Sequence, residues 1–193
     1  WNAASCNALQ AFQDAAFQVG SIITTTGYAT VDFDKWPQLS RTIMVLLMFI
    51  GACAGSTGGG IKVSRVLILL KSVKKELKQY LHPSAVEKIK MDGKIVEHEV
   101  VRSTNVFMVA YVLIFTVSVL LISLDEYDLV TNFTAVTATF NNIGPGLALV
   151  GPTGNFGFFS NFSKVVLIFD MLAGRLEIFP VLLLFSRETW KRF

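Results

Sequence analysis

Charged residues are scarce in this sequence. They make up 16% of the 193 residues, while 52% are hydrophobic; soluble domains carry roughly 25% charged residues. A predominantly apolar stretch without one charged residue runs from Thr104 to Leu124. About 20 apolar residues in a helix that rises ~1.5 Å per residue cross the ~30 Å hydrocarbon core of a bilayer, and a buried soluble helix rarely stays apolar all round at this length. The sequence therefore predicts an all-α integral membrane protein rather than a soluble enzyme.

Cysteine and histidine are also nearly absent, with two of each. Cys6 and Cys53 lie far apart in apolar contexts, without a CxxC spacing or a nearby histidine, so neither a metal site nor a disulfide framework is predicted. We expect both cysteines to be small buried side chains. His82 and His98 belong to a hydrophilic connector, which leaves no general base at membrane depth for an intramembrane serine protease.

A glycine-rich tract from Gly51 to Gly60 interrupts a second apolar segment. The three consecutive glycines Gly58 to Gly60 each cost about 1 kcal/mol in a helix, so we expect two helical pieces, Arg41 to Ile50 and Ile61 to about Lys75. A loop at membrane depth is tolerated where it lines a water-filled path; the alternative is a passive kink that allows close helix packing. The tract lacks the Gly-Lys-Ser/Thr ending of a phosphate-binding loop, so no nucleotide is expected in this chain.

The last apolar segment, Val165 to Phe185, carries three charged residues near its middle: Asp170, Arg175 and Glu177. Each would cost about 2.5–3.5 kcal/mol if it faced lipid, so we expect all three to face the interior and to pair. One hypothesis is a purely structural ion pair of Arg175 with Asp170 or Glu177. The other hypothesis is that Arg175 controls ion passage; it follows Gly174, which aligns with Gly51 at the start of the glycine-rich tract.

Basic residues concentrate in the connector from Lys71 to Arg102 and in the C-terminal tail. Short loops rich in Lys and Arg stay on the cytoplasmic side of a membrane, so this connector is expected to be cytoplasmic. Nucleic-acid binding explains the basic charge less well, because the connector has a single aromatic residue, Tyr80. The acidic connections should then face outward. The carboxylates of these connections are expected to raise the local cation concentration. The acidic residues are Asp32, Asp34, Asp125, Glu126 and Asp128.

The chain contains a repeat that becomes visible when Gly27 is aligned with Gly144. Each glycine follows a short apolar stretch, Leu9 to Ile23 in the first half and Phe133 to Phe140 in the second. Stretches of this length are too short to span a bilayer and are typical of re-entrant helices. A re-entrant helix followed by a glycine-containing turn predicts a selectivity filter, in which backbone carbonyls replace the hydration shell of an ion. Ordinary extracellular turns are the alternative.

Three stretches together carry a family resemblance: ITTTGYATVDFDKWP, GACAGSTGGGIKVSR and NNIGPG. They closely resemble the TrkH family, the membrane subunits of Trk-type bacterial potassium uptake systems, in a superfamily (Trk/Ktr/HKT) of four-repeat potassium and sodium transporters. The resemblance implies helix–P-loop–helix repeats of a potassium-channel-like pore with one broken inner helix. Residues 1–80 would be the third repeat without its first helix, 81–103 a cytoplasmic connector and 104–193 the fourth repeat. The chain is accordingly expected to be the C-terminal part of a longer protein.

The resemblance also implies roles for individual residues. The filter carbonyls that bind potassium would come from Thr24, Thr25, Thr26, Gly27, Asn141, Asn142, Ile143 and Gly144. The gate would be formed by Gly55, Ser56, Thr57, Gly58, Gly59, Gly60 and Arg175, with Asp170 and Glu177 as possible ion-pair partners. Members of the family with glycine at all four filter positions favour potassium, and two of those positions belong to this chain.

Further implications concern location and partners. The resemblance implies a multi-pass protein of the bacterial inner membrane in contact with lipid, which forms a homodimer and binds a cytosolic nucleotide-binding regulatory subunit of the RCK type, similar to TrkA. Two other functions stay open at this point. A sodium- or proton-coupled secondary cation transporter also uses broken helices and charges near mid-membrane, and a membrane scaffold would transport nothing.

Overall fold

The computed structural model describes residues 8–51, 53, 55–56, 58–83, 88–176, 178–184 and 190–191. Helices dominate this part of the chain, and two pairs of two-residue strands join them. The helices are α1 (Ala8–Ile23), α2 (Gln38–Phe49), α3 (Val63–Leu81), α4 (His98–Ile122), α5 (Leu129–Phe140), α6 (Asn161–Arg175) and α7 (Phe179–Leu184). The strands are β1 (Ile50–Gly51), β2 (Ile61–Lys62), β3 (Lys90–Met91) and β4 (Lys94–Ile95).

Helix α4 is the described helix that is long and apolar enough to cross a membrane, when it is taken with the short 3-10 turn that follows it (His98–Asp125). Its apolar surface is largely exposed; Val109 and Leu113, for example, are 68% and 60% exposed. The core helix of a soluble protein would bury such side chains, and large exposed apolar surfaces mark contact with lipid or with further protein. The prediction of a span from Thr104 to Leu124 is therefore matched by a helix that begins six residues earlier.

Helix α5 lies at the centre of the second half. From Thr131 to Phe140 every residue except Phe133 is buried, mainly against α4 and α6. The helix begins at Leu129, four residues before the predicted start, because the Asp128 side chain accepts a hydrogen bond from the N–H of Thr131 and caps the helix. A second apolar cluster packs α1 and α2 against the loop after α5, where Ile143 and Leu147 lie. This cluster ties the first half to the second.

The glycine-rich tract separates α2 from α3, as predicted. Strands β1 and β2 pair in parallel, with Ile50 opposite Ile61 and Gly51 opposite Lys62. The two ends of the tract therefore lie side by side, where β1 and β2 pair. Helix α3 continues to Leu81, beyond the predicted end near Lys75.

A second interruption divides the segment from Val165 to Phe185, so two segments are broken where the resemblance implied one broken inner helix. Helix α6 ends at Arg175, and α7 begins at Phe179 after Ile178, which has a φ of +45°. The physical reason is Pro180. A proline inside a helix removes one hydrogen bond and clashes with the carbonyl four residues earlier, but it is tolerated in the first turn of a new helix.

The hydrophilic connector contains a small hairpin, in which β3 and β4 pair antiparallel. Asp92 and Gly93 form its turn, with φ values of +49° and +77°. An Asp-Gly pair is a strong signal for a two-residue hairpin turn because both positions require positive φ. The sequence analysis overlooked this signal.

Candidate functional site

The turns after α1 and α5 have the same backbone hydrogen bonds. The N–H of Thr26 donates to the carbonyl of Ser21 at 2.9 Å, and the N–H of Ile143 donates to the carbonyl of Ala138 at 2.8 Å. Each bond joins residues five apart, so each helix ends in one wide turn. After the first turn the chain runs back along α1, where Ser21 and Gln18 bind the carbonyls of Tyr28 and Val31.

Both turns also use the left-handed region of backbone conformation at equivalent positions. Thr25 and Asn142 each have a φ of +55°, and Gly27 and Gly144 have φ values of +78° and +109°. Glycine adopts positive φ without steric cost, whereas threonine in this region is strained. Thr25 is thus held in an unfavourable conformation, which is a common feature of functional turns.

The two turns are in direct contact. A Cβ atom placed on Gly27 would lie 1.9 Å from the carbonyl oxygen of Ile143. The two residues can approach this closely only because Gly27 has no side chain. The structure thus brings together two predicted filter residues that are more than a hundred positions apart in the sequence.

Residues of both turns line one open cavity of about 690 Å³. Helix α6 forms another wall of this cavity through Leu167 and Met171. The predicted filter residues that contribute to the cavity are Thr25, Thr26, Asn142, Ile143 and Gly144. Thr24 lies beside them, with its hydroxyl oxygen 2.8 Å from that of Thr26.

Polar side chains of α1 and α5 hold the extended segments that follow the turns. The Ser21 hydroxyl donates to the carbonyl of Tyr28 at 2.6 Å, and the Gln18 amide donates to the carbonyl of Val31 at 3.2 Å. In the second half, the Leu147 N–H donates to the Thr134 hydroxyl at 3.0 Å. The sequence analysis missed these residues, although buried polar side chains on short apolar helices are the signal that could have identified them.

Asn141 is fully buried at the end of α5, and its side chain is anchored on both sides. Its Oδ1 accepts a hydrogen bond from the hydroxyl of Tyr111 at 2.7 Å, and its Nδ2 donates to the carbonyl of Thr137 at 2.8 Å. The next residue, Asn142, donates from its side chain to the carbonyl of Met171 at 3.1 Å. Helices α4 and α6 therefore fix the second turn from two directions.

The glycine-rich loop lies against the base of this turn. A Cβ atom on Gly59 would stand 2.2 Å from the carbonyl oxygen of Asn141, and one on Gly51 would stand 2.3 Å from the carbonyl oxygen of Gly59. Gly55 and Gly60 have φ values of +84° and +77°, which favour glycine. The loop thus needs small residues to approach the turn and glycine to form its bends.

The side chain of Lys62 binds backbone carbonyls of the glycine-rich loop. Its Nζ donates to the carbonyls of Ser56 at 2.7 Å and Gly58 at 2.5 Å, and the residue is 7% exposed. The sequence analysis assigned Arg175 to the gate and did not consider Lys62. Arg175 lies nearby, because it lines a cavity of about 180 Å³ together with Ser56, Gly58, Gly60 and Lys62.

Asp170 binds a different partner from the one expected. Its Oδ1 accepts a hydrogen bond from the Ser118 hydroxyl at 2.6 Å, and within the described part of the chain it forms no ion pair. The hypothesis of an Asp170–Arg175 pair is therefore wrong. The physical reason is that Asp170 is fully buried on the face of α6 that packs against α4, whereas Arg175 is exposed at the end of the helix.

Most of the acidic residues expected at the outer surface have structural partners. Asp34 accepts hydrogen bonds from Arg41 at 2.9 Å and from the N–H of Ala148 at 3.2 Å, so it joins the two halves. Asp125 and Asp128 accept hydrogen bonds from backbone N–H groups at the starts of α6 and α5. A hydrogen bond from the hydroxyl of Thr131 is the main cause that lowers the pKa of Asp128 below its ordinary value.

Cys53 is exposed in the glycine-rich loop, so the prediction that it is buried is wrong. The reason is that the tract forms a loop instead of continuing a helix. Four residues named in the sequence analysis, Cys6, Thr57, Glu177 and Phe185, lie outside the described residues.

A family model described as cation transport protein, TrkH, matches residues 3–192. The chain is 41% identical over 185 residues to the Trk system potassium uptake protein TrkH of Salmonella typhimurium, which covers 96% of this chain and 38% of that protein. It is 44% identical over 181 residues to the protein of the same name from Vibrio parahaemolyticus, and this match covers 94% of this chain and 37% of that protein. The crystal structure of the potassium transporter TrkH from Vibrio parahaemolyticus matches with a TM-score of 0.87 and 42% identity, over 96% of this chain and 39% of that chain. The chain thus spans about two fifths of the length of the relatives it matches.

Proposed function

This chain belongs to the TrkH family of cation transport proteins, and we propose that it forms half of a potassium-conducting pore in the inner membrane of a bacterium. The family consists of transport proteins rather than enzymes. The observation that carries the proposal is the pair of turns after α1 and α5, which share a backbone conformation, touch each other and line one cavity. Two further repeats of the parent protein would complete the ring.

In this proposal the turns select the ion. Carbonyl oxygens of residues 24–27 and 141–144 replace the water that a potassium ion loses when it enters the pore. The positive φ values at Gly27 and Gly144 support this role, because they let successive carbonyls face in one direction. The side-chain anchors of Ser21, Thr134 and Asn141 keep the carbonyls at a fixed spacing.

The glycine-rich loop and Arg175 act as the gate below the filter. The contact of Gly59 with the carbonyl of Asn141 supports this placement, because an ion that leaves the second turn on that side meets the loop. Arg175 lines the adjoining cavity and carries a fixed positive charge. This charge raises the barrier for a cation until the loop and the side chain move.

Coupled transport is the second candidate function. Two helical segments are interrupted, α2–α3 and α6–α7, and discontinuous helices form the ion sites of many secondary transporters. A sodium or proton gradient could then drive uptake through the same filter.

We further propose that the parent protein is a homodimer and that the connector between α3 and α4 faces a cytosolic regulatory subunit of the RCK type.

The experiment that tests the main proposal is rubidium uptake into liposomes that contain the full-length parent protein, with potassium, sodium and lithium as competitors. Uptake that potassium blocks and sodium barely affects is the expected result. Uptake that requires a sodium or proton gradient would favour the coupled transporter. A folded protein that transports no rubidium under any gradient would contradict both functions and favour a scaffold.

A further inference from the structure

One carboxylate oxygen joins the chain segments that follow the two turns. Oδ1 of Asp34 accepts a hydrogen bond from the N–H of Ala148 at 3.2 Å and another from the guanidinium group of Arg41 at 2.9 Å. Asp34 belongs to the 3-10 turn Phe33–Lys35, which lies beyond the segment that leaves the first turn. Ala148 begins the 3-10 turn Ala148–Val150, which lies beyond the segment that leaves the second turn. The bond therefore connects the two segments beyond their predicted filter residues.

The backbone on both sides of this bond is held in place. Phe33, next to Asp34, is fully buried in the apolar cluster that also contains Leu147. Leu147, next to Ala148, donates from its N–H to the hydroxyl of Thr134 at 3.0 Å. Both partners of the bond thus adjoin residues that are anchored in the protein interior.

Ala148 adopts a strained conformation where it binds Asp34. Its φ is +55°, in the left-handed region that alanine disfavours. Strained residues persist only where the surrounding structure determines their conformation. The N–H of Ala148 donates to Asp34, and its carbonyl accepts a hydrogen bond from the N–H of Gly151 at 3.0 Å. The bond to Asp34 is therefore one of the contacts that hold this conformation.

Arg41 orients the Asp34 carboxylate. The two side chains form an ion pair in which Arg41 is 25% exposed and Asp34 is 29% exposed. Salt screens a partly buried ion pair less than an exposed one. Arg41 lies in the first turn of α2, and its backbone N–H donates to the carbonyl of Pro37 at 3.1 Å. Helix α2 thus gives the guanidinium group a fixed base.

The two segments consequently touch at two places. One contact is that of Gly27 with the carbonyl of Ile143, and the other is the bond between Asp34 and Ala148. A single contact would let the segments pivot about it, whereas two contacts fix their relative register.

We propose that Asp34, oriented by Arg41, is a positioning residue that holds the two filter segments in register and thereby increases the preference for potassium over sodium. Selection between these ions depends on the arrangement of the carbonyl groups that replace the hydration shell. Asp34 acts on these carbonyls through the backbone and binds no ion itself. This inference rests on the proposed function of the two turns as a filter.

The test measures rubidium uptake into liposomes that contain the full-length parent protein, with potassium or sodium as the competitor. Asp34→Ala removes the acceptor, whereas Asp34→Asn keeps an oxygen atom that can accept the N–H of Ala148. Glu126→Ala is the matched control, because it removes an exposed carboxylate from the other acidic connection. Loss of a hydrogen bond to a charged group shifts an equilibrium by about tenfold. We expect the preference for potassium over sodium to fall by up to about tenfold in Asp34→Ala, to fall less in Asp34→Asn and to stay unchanged in Glu126→Ala.

The control separates the position of Asp34 from its charge. A carboxylate at the outer surface attracts all monovalent cations alike, so its loss lowers uptake without a change in ion preference. Equal preference in Asp34→Ala and Glu126→Ala would overturn the role of Asp34. Lower thermal stability of Asp34→Ala in detergent, with an unchanged ion preference, would also overturn it, because the bond would then have only a structural role.

A distance measurement between two spin labels tests the same bond without transport. The labels are attached through Lys35→Cys and Leu149→Cys in a parent protein without other cysteines, because the side chain of Lys35 is 82% exposed and Leu149 is 50% exposed. We expect a broader distance distribution when Asp34→Ala is added and no change when Glu126→Ala is added. An equal width in both would contradict the inference. Absence of rubidium uptake by the unmodified protein would overturn the proposed function, and the width of the distribution would then decide whether Asp34 holds the two segments together.

A second variant serves if Asp34→Ala does not fold. Arg41→Met keeps Asp34 and removes the donor that orients its carboxylate. It should lower the ion preference and broaden the distance distribution in the same direction. A folded Arg41→Met protein that changes neither quantity would contradict the inference.

Discussion

The hydroxyl group of Tyr111 donates a hydrogen bond to the side-chain oxygen of Asn141 at 2.7 Å. This bond joins the long helix α4 to the first residue of the turn after α5. The glycine-rich loop meets the same residue, because a Cβ atom on Gly60 would lie 3.3 Å from Asn141 Oδ1 and one on Gly59 would contact its carbonyl. Helix α4, the turn after α5 and the glycine-rich loop therefore all contact one buried residue, Asn141.

Removal of the Tyr111 hydroxyl tests this convergence. In Tyr111→Phe the Oδ1 of Asn141 stays buried without that donor, which costs about 1–3 kcal/mol. We expect a lower thermal stability in detergent and a weaker preference for potassium over sodium in rubidium competition. Tyr127→Phe is the matched control, since the Tyr127 hydroxyl donates to the carbonyl of Phe158, which belongs to neither turn. Equal ion preference in the two variants would contradict the role of Tyr111 at the filter.

Gly27 should tolerate no side chain. In Gly27→Ala the new Cβ would lie 1.9 Å from the carbonyl of Ile143, at a φ of +78° that disfavours alanine. We expect potassium-sensitive rubidium uptake to fall by at least about tenfold, because the turn would have to move and its carbonyls would no longer replace the hydration shell of the ion. Gly20→Ala provides the control, as a Cβ there meets no atom within 4 Å in helix α1. Normal uptake by Gly27→Ala would exclude the turn from the ion pathway.

Arg175→Ala should increase flux. A fixed charge about 8 Å from a passing cation raises its energy by ~2 kcal/mol at an effective dielectric constant of about 20, which sets an upper limit of about thirtyfold in rate. Basal rubidium flux in liposomes measures this effect, and Arg102→Ala on α4 serves as the control for loss of an arginine. Unchanged flux in Arg175→Ala would remove this residue from the gate.

The buried pair of Ser118 and Asp170 should matter for stability and not for ion selection. Ser118→Ala leaves the Asp170 carboxyl group, which is fully buried, without its hydroxyl donor, at a cost of about 1–3 kcal/mol. Ser123→Ala, in the 3-10 turn just after the same helix, removes an exposed hydroxyl that binds the carbonyl of Val119, so it should cost little. Unfolding in detergent would measure both changes. A double-mutant cycle with Asp170→Asn should show coupling between the two positions, and independent effects would contradict the pairing.

Asp128 should make stability depend on acid pH. Its pKa is lowered in the folded protein, mainly by the hydroxyl of Thr131, so the carboxylate stabilises the fold above its ordinary pKa of about 3.9. That contribution is lost as the pH falls through the lowered pKa. Asp128→Asn keeps a side chain that caps helices well but removes the titration, so its stability should change less than that of the unmodified protein below about pH 4. Identical acid profiles would show that the cap does not depend on charge.

The sequence by itself determined the elements whose cause is local. The uncharged run around Tyr111 predicts the long helix α4. The prediction depends only on the length and apolar character of the run, which match those of a helix that crosses a bilayer. Gly58 to Gly60 break the helix between α2 and α3, because glycine weakens a helix in any context. Pro180 and the Asp92–Gly93 pair carried equally local signals, for the break after α6 and for the hairpin, and the sequence analysis overlooked both.

Only the tertiary structure decided which distant groups meet. Nothing near Asp170 in the sequence indicates that Ser118, on another helix, is its partner instead of Arg175, because the outcome depends on the faces that α4 and α6 present to each other. Likewise, the parallel pairing of β1 with β2 brings the Lys62 ammonium group back onto the loop, and the spacing of residues along the chain does not reveal it. The contact of Gly27 with Ile143 arises in the same way. Position 27 requires glycine only because the two turns, which come from separate halves of the chain, pack against each other.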